Sequence, residues 1–401
     1  MTSDRMRPEE LRAGLSLSAV YALRMLGLFF ILPVFAIHAS SLSGGSDLTL
    51  VGIALGAYGL SQGVLQVPYG AASDRWGRKR ILYAGLLVFA AGSFLGIFAT
   101  DIWTAIAART LQGAGAVNSV AMALAADLTR EQHRSKIMAM IGASIGGMFA
   151  ISLVGAPELY RLIGMGGIFG VTGLLALGAM WVVKVLVPDP PERTASAPRE
   201  EAGPGVLFDS ELLRLNAGIF ILHVALYAMF VVVPPLLVET GLPLSEHWKL
   251  YLPVVLASFA LMVPAILYAD RNNRPKPIIL GSVALLAAVE ATLGASRYGI
   301  AGLSALMLGF FVAFNVLEAM LPALVSRLAP ERGRGAAIGV YNTTQTLGVF
   351  FGGLLGGWMA RHHGAAGVFF VCAGLCGLWL LLAAGMRPVP RAVNGLSNAA
   401  L

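Results

Sequence analysis

Long apolar runs separated by short polar connections dominate this chain, and that pattern constrains its fold more than any other feature. A helix needs about 20 apolar residues to cross the hydrocarbon of a bilayer. Runs of that size lie near 14–38, 49–72, 81–99, 102–125, 137–157 and 165–187, and again near 212–238, 248–269, 277–296, 299–325, 336–360 and 365–386. The one long polar stretch between them, PDPPERTASAPREEAGPG at 188–205, splits twelve runs into six and six. Only 12% of the 401 residues are charged, against about 25% in a soluble domain, and the mean hydropathy is +0.77. A soluble enzyme is therefore excluded, as is a disordered or fibrous chain. The sequence predicts an all-α membrane protein: twelve transmembrane helices in two six-helix bundles, 1–187 and 211–401, joined by a cytoplasmic linker at 188–210.

The net charge of +7 would suggest nucleic acid in a soluble protein, but its distribution argues otherwise. With the N-terminus inside, 22 of the 28 Lys and Arg fall in cytoplasmic segments. Four lie outside (Arg161, Lys249, Arg297 and Arg361), and two, Arg24 and Arg109, lie within spans. That bias is the positive-inside pattern. It places both termini in the cytoplasm and leaves no reason to expect a nucleic-acid partner. The first apolar run is too long for a signal h-region and reads as a retained span. Cys372 and Cys376, four apart in one apolar run, read as packing residues. No GxxxxGK[ST] phosphate loop and no paired Cys/His ligand set occurs, so neither ATP drive nor a metal or other cofactor is expected.

The two halves echo each other. SDRWGRKR (73–80) ends the second run and ADRNNRPK (269–276) ends the eighth, 196 residues later. LTREQHR (128–134) and LAPERGR (328–334) follow the fourth and tenth runs, 200 residues apart. Six spans per half is an even number, so the halves share one orientation. Such parallel repeats place a substrate site between the halves, near mid-membrane.

The most specific string is GAASDRWGRKR (70–80). Gly70 allows close helix approach. Asp74 and Arg75 sit at the membrane edge. Gly77 permits a tight turn, and Arg78, Lys79 and Arg80 suit an anionic leaflet. This string resembles motif A of the major facilitator superfamily. The resemblance implies a latch that holds the cytoplasmic side closed, with Asp127 as the partner of Arg75 or Arg78. The second copy keeps Asp270, Arg271 and Arg274 but has Ile266 and Asn273 where the glycines would be. ARTLQGAGA (108–116), with Arg109, Gln112, Gly113 and Gly115, resembles motif B of the same superfamily. There the resemblance implicates Arg109 in proton coupling; the alternative is an arginine that only cross-links helices through backbone carbonyls. IGASIGGMFAISLVGAP (141–157) resembles a loosened motif C, the antiporter signature, with Ala156 intervening between Gly155 and Pro157. Physically it reads as a flat helix face with a bend near its outer end.

LRMLGLFFILPVF (23–35), GAYGLSQGVLQVPYG (56–70), ALAADLTREQHRSK (123–136), FFVAFNVLEAMLPALVS (310–326) and GVYNTTQTLGVFFGGLLGGW (339–358) together resemble the YajR-like branch of bacterial drug:proton antiporter-like transporters. Members of that branch can carry a small cytoplasmic domain after the twelfth span. This chain ends about 15 residues past its own, so none is expected. The resemblance implies a monomeric secondary transporter of the bacterial inner membrane. It would couple proton entry to efflux of small apolar or cationic compounds by alternating access. Two other readings stay open: uptake of an anionic metabolite through Arg24 and Arg109, and a non-transporting membrane sensor or scaffold. A membrane enzyme is disfavoured, because no nucleophile–base constellation is visible.

Ionisable residues inside spans are functional candidates by default. Glu318, beside Asn315 on the tenth run, is the leading candidate proton carrier. Arg109, Arg24, His223 and Glu290 are the other coupling candidates. Arg24 lies roughly 15 Å into the first span by helical rise, where it could bind an anion or neutralise a carboxylate. Tyr58, Gln62 and Gln66 form one stripe at four-residue spacing. With Gln112, Tyr227, Asn315, Asn342 and Gln345 they are the expected cavity-lining residues.

Overall fold

The computed structural model describes residues 6–189, 209–272, 274–330 and 333–387. Most of the expected linker, residues 190–208, lies outside them. Eleven helices of ten residues or more make up the described residues: α1 (Pro8–Ala39), α2 (Leu48–Trp76), α3 (Arg78–Ile97), α4 (Ile102–Ala114), α5 (Asn118–Asp127), α6 (Glu131–Val185), α7 (Ser210–Glu239), α8 (Trp248–Arg271), α9 (Pro275–Ala295), α10 (Ile300–Leu328) and α11 (Arg334–Ala384). Helix starts follow local chemistry. Asp47, Asp101 and Asp209 each accept backbone N–H bonds from the first turn of the helix they precede. Pro33, Pro68, Pro157, Pro234, Pro253 and Pro322 sit inside helices, which membrane helices tolerate because neighbours satisfy the freed carbonyls.

Helix count and span count differ for two reasons. α6 and α11 are each two spans: Gly164 (φ 65°, ψ −176°) and Gly364 (φ 67°, ψ −174°) interrupt them. A positive φ at that position favours glycine. The fourth span is the reverse case, broken into α4 and α5 around residues 115–117. The described residues thus contain the twelve spans, at nearly the boundaries read from the sequence.

The repeat persists in three dimensions. The two helix-breaking glycines are 200 residues apart and share one backbone conformation. Lys79, at the start of α3, donates to the carbonyl of Val187 at 2.7 Å just beyond α6. Lys276, at the start of α9, donates at 2.7 Å to the carbonyls of Ala384, the last residue of α11, and of Met386 just beyond it. A lysine on the third span of each half therefore caps the C-terminal end of the sixth.

The halves meet along α2 and α11. One glycine ridge of α11 packs on α7 of its own half, where a Cβ at Gly348 or Gly352 would lie 2.6 Å from the carbonyl oxygens of Phe220 and Val224. The next ridge packs on α2 of the other half, where a Cβ at Gly353 would lie 2.2 Å from the oxygen of Gly52 and one at Gly357 2.2 Å from that of Leu48. Backbone-to-backbone contact of this kind is open only to glycine. The seam is sealed at its end by an ion pair between Asp47 and Arg361. It runs down to Gly63 and Thr346, where a Cβ on Gly63 would lie 2.9 Å from the Thr346 hydroxyl. Beyond that, toward Asp74, the close approaches cease. Gly335 and Gly339 of α11, and Gly142, Gly146 and Gly147 of α6, would meet nothing within 4 Å. Among the described residues the halves are in backbone contact at the Asp47 end, and no such approach is made at the Asp74 end.

Candidate functional site

The interior of the first half holds a polar cluster around Tyr58. Arg24 of α1 is 1% exposed. Its guanidinium donates to Gln62 Oε1 at 2.6 Å, to the Tyr58 hydroxyl and to Asn118 Oδ1. The Tyr58 hydroxyl in turn donates to Gln62. Arg109 of α4, 2% exposed, lies on Tyr58 from the other side, 5.2 Å from the ring centroid. It donates to Gln112 Oε1 at 2.9 Å and, at 3.4 Å, to the Leu55 carbonyl. Gln112 passes the chain of bonds on to Ser93 at 2.9 Å. Inserting an arginine at mid-membrane costs about 2.5–3.5 kcal/mol. Here that cost is offset by neutral acceptors and ring faces, each hydrogen bond to a charged group being worth about 1.5–3 kcal/mol. Among the described residues neither arginine has an acidic partner, and the Nε of each is buried with no hydrogen bond.

The second half carries the matching cluster. Gln345 of α11 donates from Nε2 to Glu318 Oε1 of α10 and to His223 Nε2 of α7, both at 3.0 Å. With Nε2 accepting, the His223 proton sits on Nδ1 and is donated to the Ile219 carbonyl at 3.2 Å. Glu318 Oε2 lies 3.9 Å from His223 Nε2 and has no hydrogen-bond partner. The Glu318 side chain is 38% exposed, while its Oε2 atom is itself buried. A proton arriving there meets two bases, a carboxylate oxygen and an imidazole nitrogen, held by one amide. Asn315, one turn away, donates to Ser258 of α8 at 3.0 Å, and Asn342 is half-buried on α11. Tyr227 of α7 is buried within electrostatic reach of both Arg109 and Tyr58 of the first half.

Three sequence candidates lie elsewhere. Glu290 is 0% exposed, its carboxyl oxygens unpartnered, near Cys372 and Cys376 and away from the central clusters. Gln66 is buried, and its carbonyl accepts from Ser119 at 2.8 Å. A Cβ at Gly70 would find nothing nearer than Ser119 Oγ at 3.7 Å, so the close approach expected there is not made. Asn118 and Ser93 belong to the central clusters without having been singled out in the sequence. Both are polar residues in apolar runs, which was the available signal.

At the Asp74 end, Arg78 is the organising residue. It is buried and bonds Asp74 at 2.5 Å, Asp127 at 3.0 Å and the Ser73 hydroxyl at 2.6 Å. Of the two arginines expected there, Arg78 is seen to pair with Asp127. Arg75 is exposed and lies over Trp76, 5.9 Å from its centroid. Gly77 makes the turn with φ at +96°.

A family model described as Major Facilitator Superfamily matches residues 17–351 and 254–400. The chain belongs to this superfamily. It is 41% identical to the inner membrane transport protein YajR of Escherichia coli (strain K12) over 400 residues, 97% of this chain and 86% of that protein. It is 28% identical to the multidrug resistance protein MdtH of Edwardsiella ictaluri over 348 residues, 84% of this chain and 83% of that one. Among solved structures, a D-xylose-proton symporter superposes with a TM-score of 0.76 at 16% identity, covering 94% of this chain and 98% of the symporter. As a major facilitator protein the chain is a multi-pass secondary transporter and not an enzyme. The twelve-span fold expected from the sequence is the one it has.

Proposed function

We propose that this transporter exports small, largely apolar compounds in exchange for protons. The observation that carries this reading is the Glu318–Gln345–His223 cluster: a partly exposed carboxylate bonded to a neutral amide, beside a second base. Protonation of Glu318 competes with cargo, and the halves rock about the α2–α11 seam. The 22-to-4 distribution of basic residues supports placing the Asp74 end, the linker and both termini in the cytoplasm. The end without backbone contact is then the cytoplasmic one, where cargo for export is collected. The Arg78–Asp74–Asp127 cluster is a latch that biases closure of that side. Two interior arginines without an acidic partner weigh against permanently cationic cargo.

The test is transport by the purified protein in liposomes with an imposed pH gradient. Cargo should move uphill against entering protons and stop when nigericin collapses the gradient. Movement that follows only the cargo's own gradient would remove the coupling.

One observation favours anion uptake as a second reading. Arg24 and Arg109 are paired only with neutral groups. The direction of accumulation in the same liposomes separates it from export.

A further inference from the structure

The break in the fourth span sits against Arg24, and the chemistry there is of one sign. α5 begins at Asn118 in mid-membrane with no capping side chain on its first turn. The first backbone N–H groups of a helix lack intrahelical partners and carry the positive end of its dipole. Arg24 reaches this terminus directly, since its Nη1 donates to Asn118 Oδ1. The guanidinium is 1% exposed, and its Nε is buried with no hydrogen-bond partner. Arg109, on the last turns of α4 just before the break, is a second buried cation with an unpartnered Nε. Among the described residues no acidic side chain bonds either of them: Glu158, which lies inside α6, pairs instead with Arg161, and the other described acids of the first half lie at helix ends or in connections. Arg24 itself is sealed from solvent, but Asn118 and Ser119 are only half-buried. The first turn of α5 is therefore accessible at Asn118 and Ser119, and Asn118 is in direct contact with the buried Arg24 guanidinium.

We infer that the first half binds an acidic group of the cargo, a carboxylate or an anion of like size, at the start of α5 beneath Arg24. The anion replaces Asn118 Oδ1 on the Arg24 guanidinium and takes up the free N–H groups of α5. Discontinuous membrane helices present their half-helix N-termini to anions for this physical reason. This inference rests on the reading of the chain as a transporter. It adds the charge class of the cargo, and it does not depend on Glu318 carrying the proton.

The experiment is thermal unfolding of the purified full chain in detergent, with benzoate, its neutral analogue benzamide and tetramethylammonium as probes. Ligand that binds only the folded state raises the midpoint in a saturable way, by roughly 2–5 °C at about 100 times its dissociation constant. Benzoate should stabilise the wild type in this manner, and benzamide and tetramethylammonium should not. Asn118→Asp supplies the missing anion in place. Its unliganded midpoint should equal or exceed that of the wild type, and its benzoate response should vanish. Arg24→Gln should weaken the response at least tenfold. Glu318→Gln should keep it in full. No stabilisation by benzoate up to 50 mM overturns the inference, as does an equal effect of benzamide. A benzoate response that survives in a stably folded Asn118→Asp also overturns it. The two readings fail separately: loss of gradient-driven transport with the benzoate response intact removes proton coupling and leaves this site standing, and the reverse result removes the site alone.

Discussion

Asp47 binds two partners at once: its Oδ1 accepts the Thr49 backbone N–H at 2.9 Å and caps α2, while its Oδ2 pairs with Arg361 in the opposite half. Closure of that end is thereby tied to a helix terminus that is already formed. Asp47→Asn keeps a capping oxygen and loses the ion pair. Half-exposed pairs contribute about 0.2–1 kcal/mol. The variant should shift the ratio of open to closed Asp47 ends by up to about fivefold. Spin labels at Trp103 and His362, both exposed near that end, would report it as growth of the longer distance population. An unchanged distribution would show that the glycine seam alone holds the end closed.

The same pair has a pH dependence with a defined sign. Burial raises the Asp47 carboxyl pKa, but the Thr49 N–H and the Arg361 guanidinium outweigh it and hold the group below its ordinary value. A depressed carboxyl pKa means that the closed end is favoured while Asp47 is ionised and loses that support as pH falls through the depressed value. Acidification into that range should mimic Asp47→Asn in the wild type and change nothing further in the variant.

Gly353→Ala should be severe. The added Cβ would lie 2.2 Å from the Gly52 oxygen and 3.2 Å from its carbonyl carbon, so the helices must part. Overpacking of this kind costs about 1–3 kcal/mol, here charged to the closed state of the Asp47 end. Transport should fall at least tenfold with the protein still folded. Gly142→Ala, on a face with nothing within 4 Å, should leave the midpoint of this state within 1 °C or raise it through helix propensity. Midpoints and initial rates of the two variants, measured side by side, check both statements.

Lys276→Met should lower thermal stability while leaving transport rates near wild type. It removes two hydrogen bonds to the Ala384 and Met386 carbonyls, a loss of about 1–2 kcal/mol for charge-assisted bonds at a half-exposed site. Lys79→Met should behave alike, because Lys79 occupies the equivalent place on α3. A difference of more than about twofold between the two losses would show that the repeat is not energetically symmetric.

Most of the fold was legible because a bilayer leaves few choices. Apolar runs near 277–296 and 299–325 became α9 (Pro275–Ala295) and α10 (Ile300–Leu328) with shifts of a few residues. The break at 115–117 was not legible. Averaged hydropathy is the same for a straight helix as for one that bends where Gly113 and Gly115 press on the carbonyls of Tyr58 and Gly85. For that reason Asn118 passed unnoticed while its neighbour in space, Arg24, did not. The convergence of Glu318, His223 and Gln345 also needed three dimensions, since they come from three helices. Each could be flagged singly as polar in an apolar run, but spacing along the chain gives no sign that one amide bonds the other two. Glu290 shared with Glu318 the signal of an ionisable residue in an apolar run and ranked below it only through the peripheral place that the family resemblance implies for the ninth span. Packing separates them, because Glu290 is fully enclosed between α9 and α11 and Glu318 is partly exposed.

Proton coupling through Glu318 is the central claim, and one comparison tests it most directly. Wild type and Glu318→Gln are reconstituted at equal density, and two fluxes of one cargo are measured: downhill exchange without a pH gradient, and uphill movement driven by one. The account predicts that the variant retains exchange within about threefold of wild type while gradient-driven accumulation falls to background. Gradient-driven accumulation that persists undiminished in Glu318→Gln would contradict it.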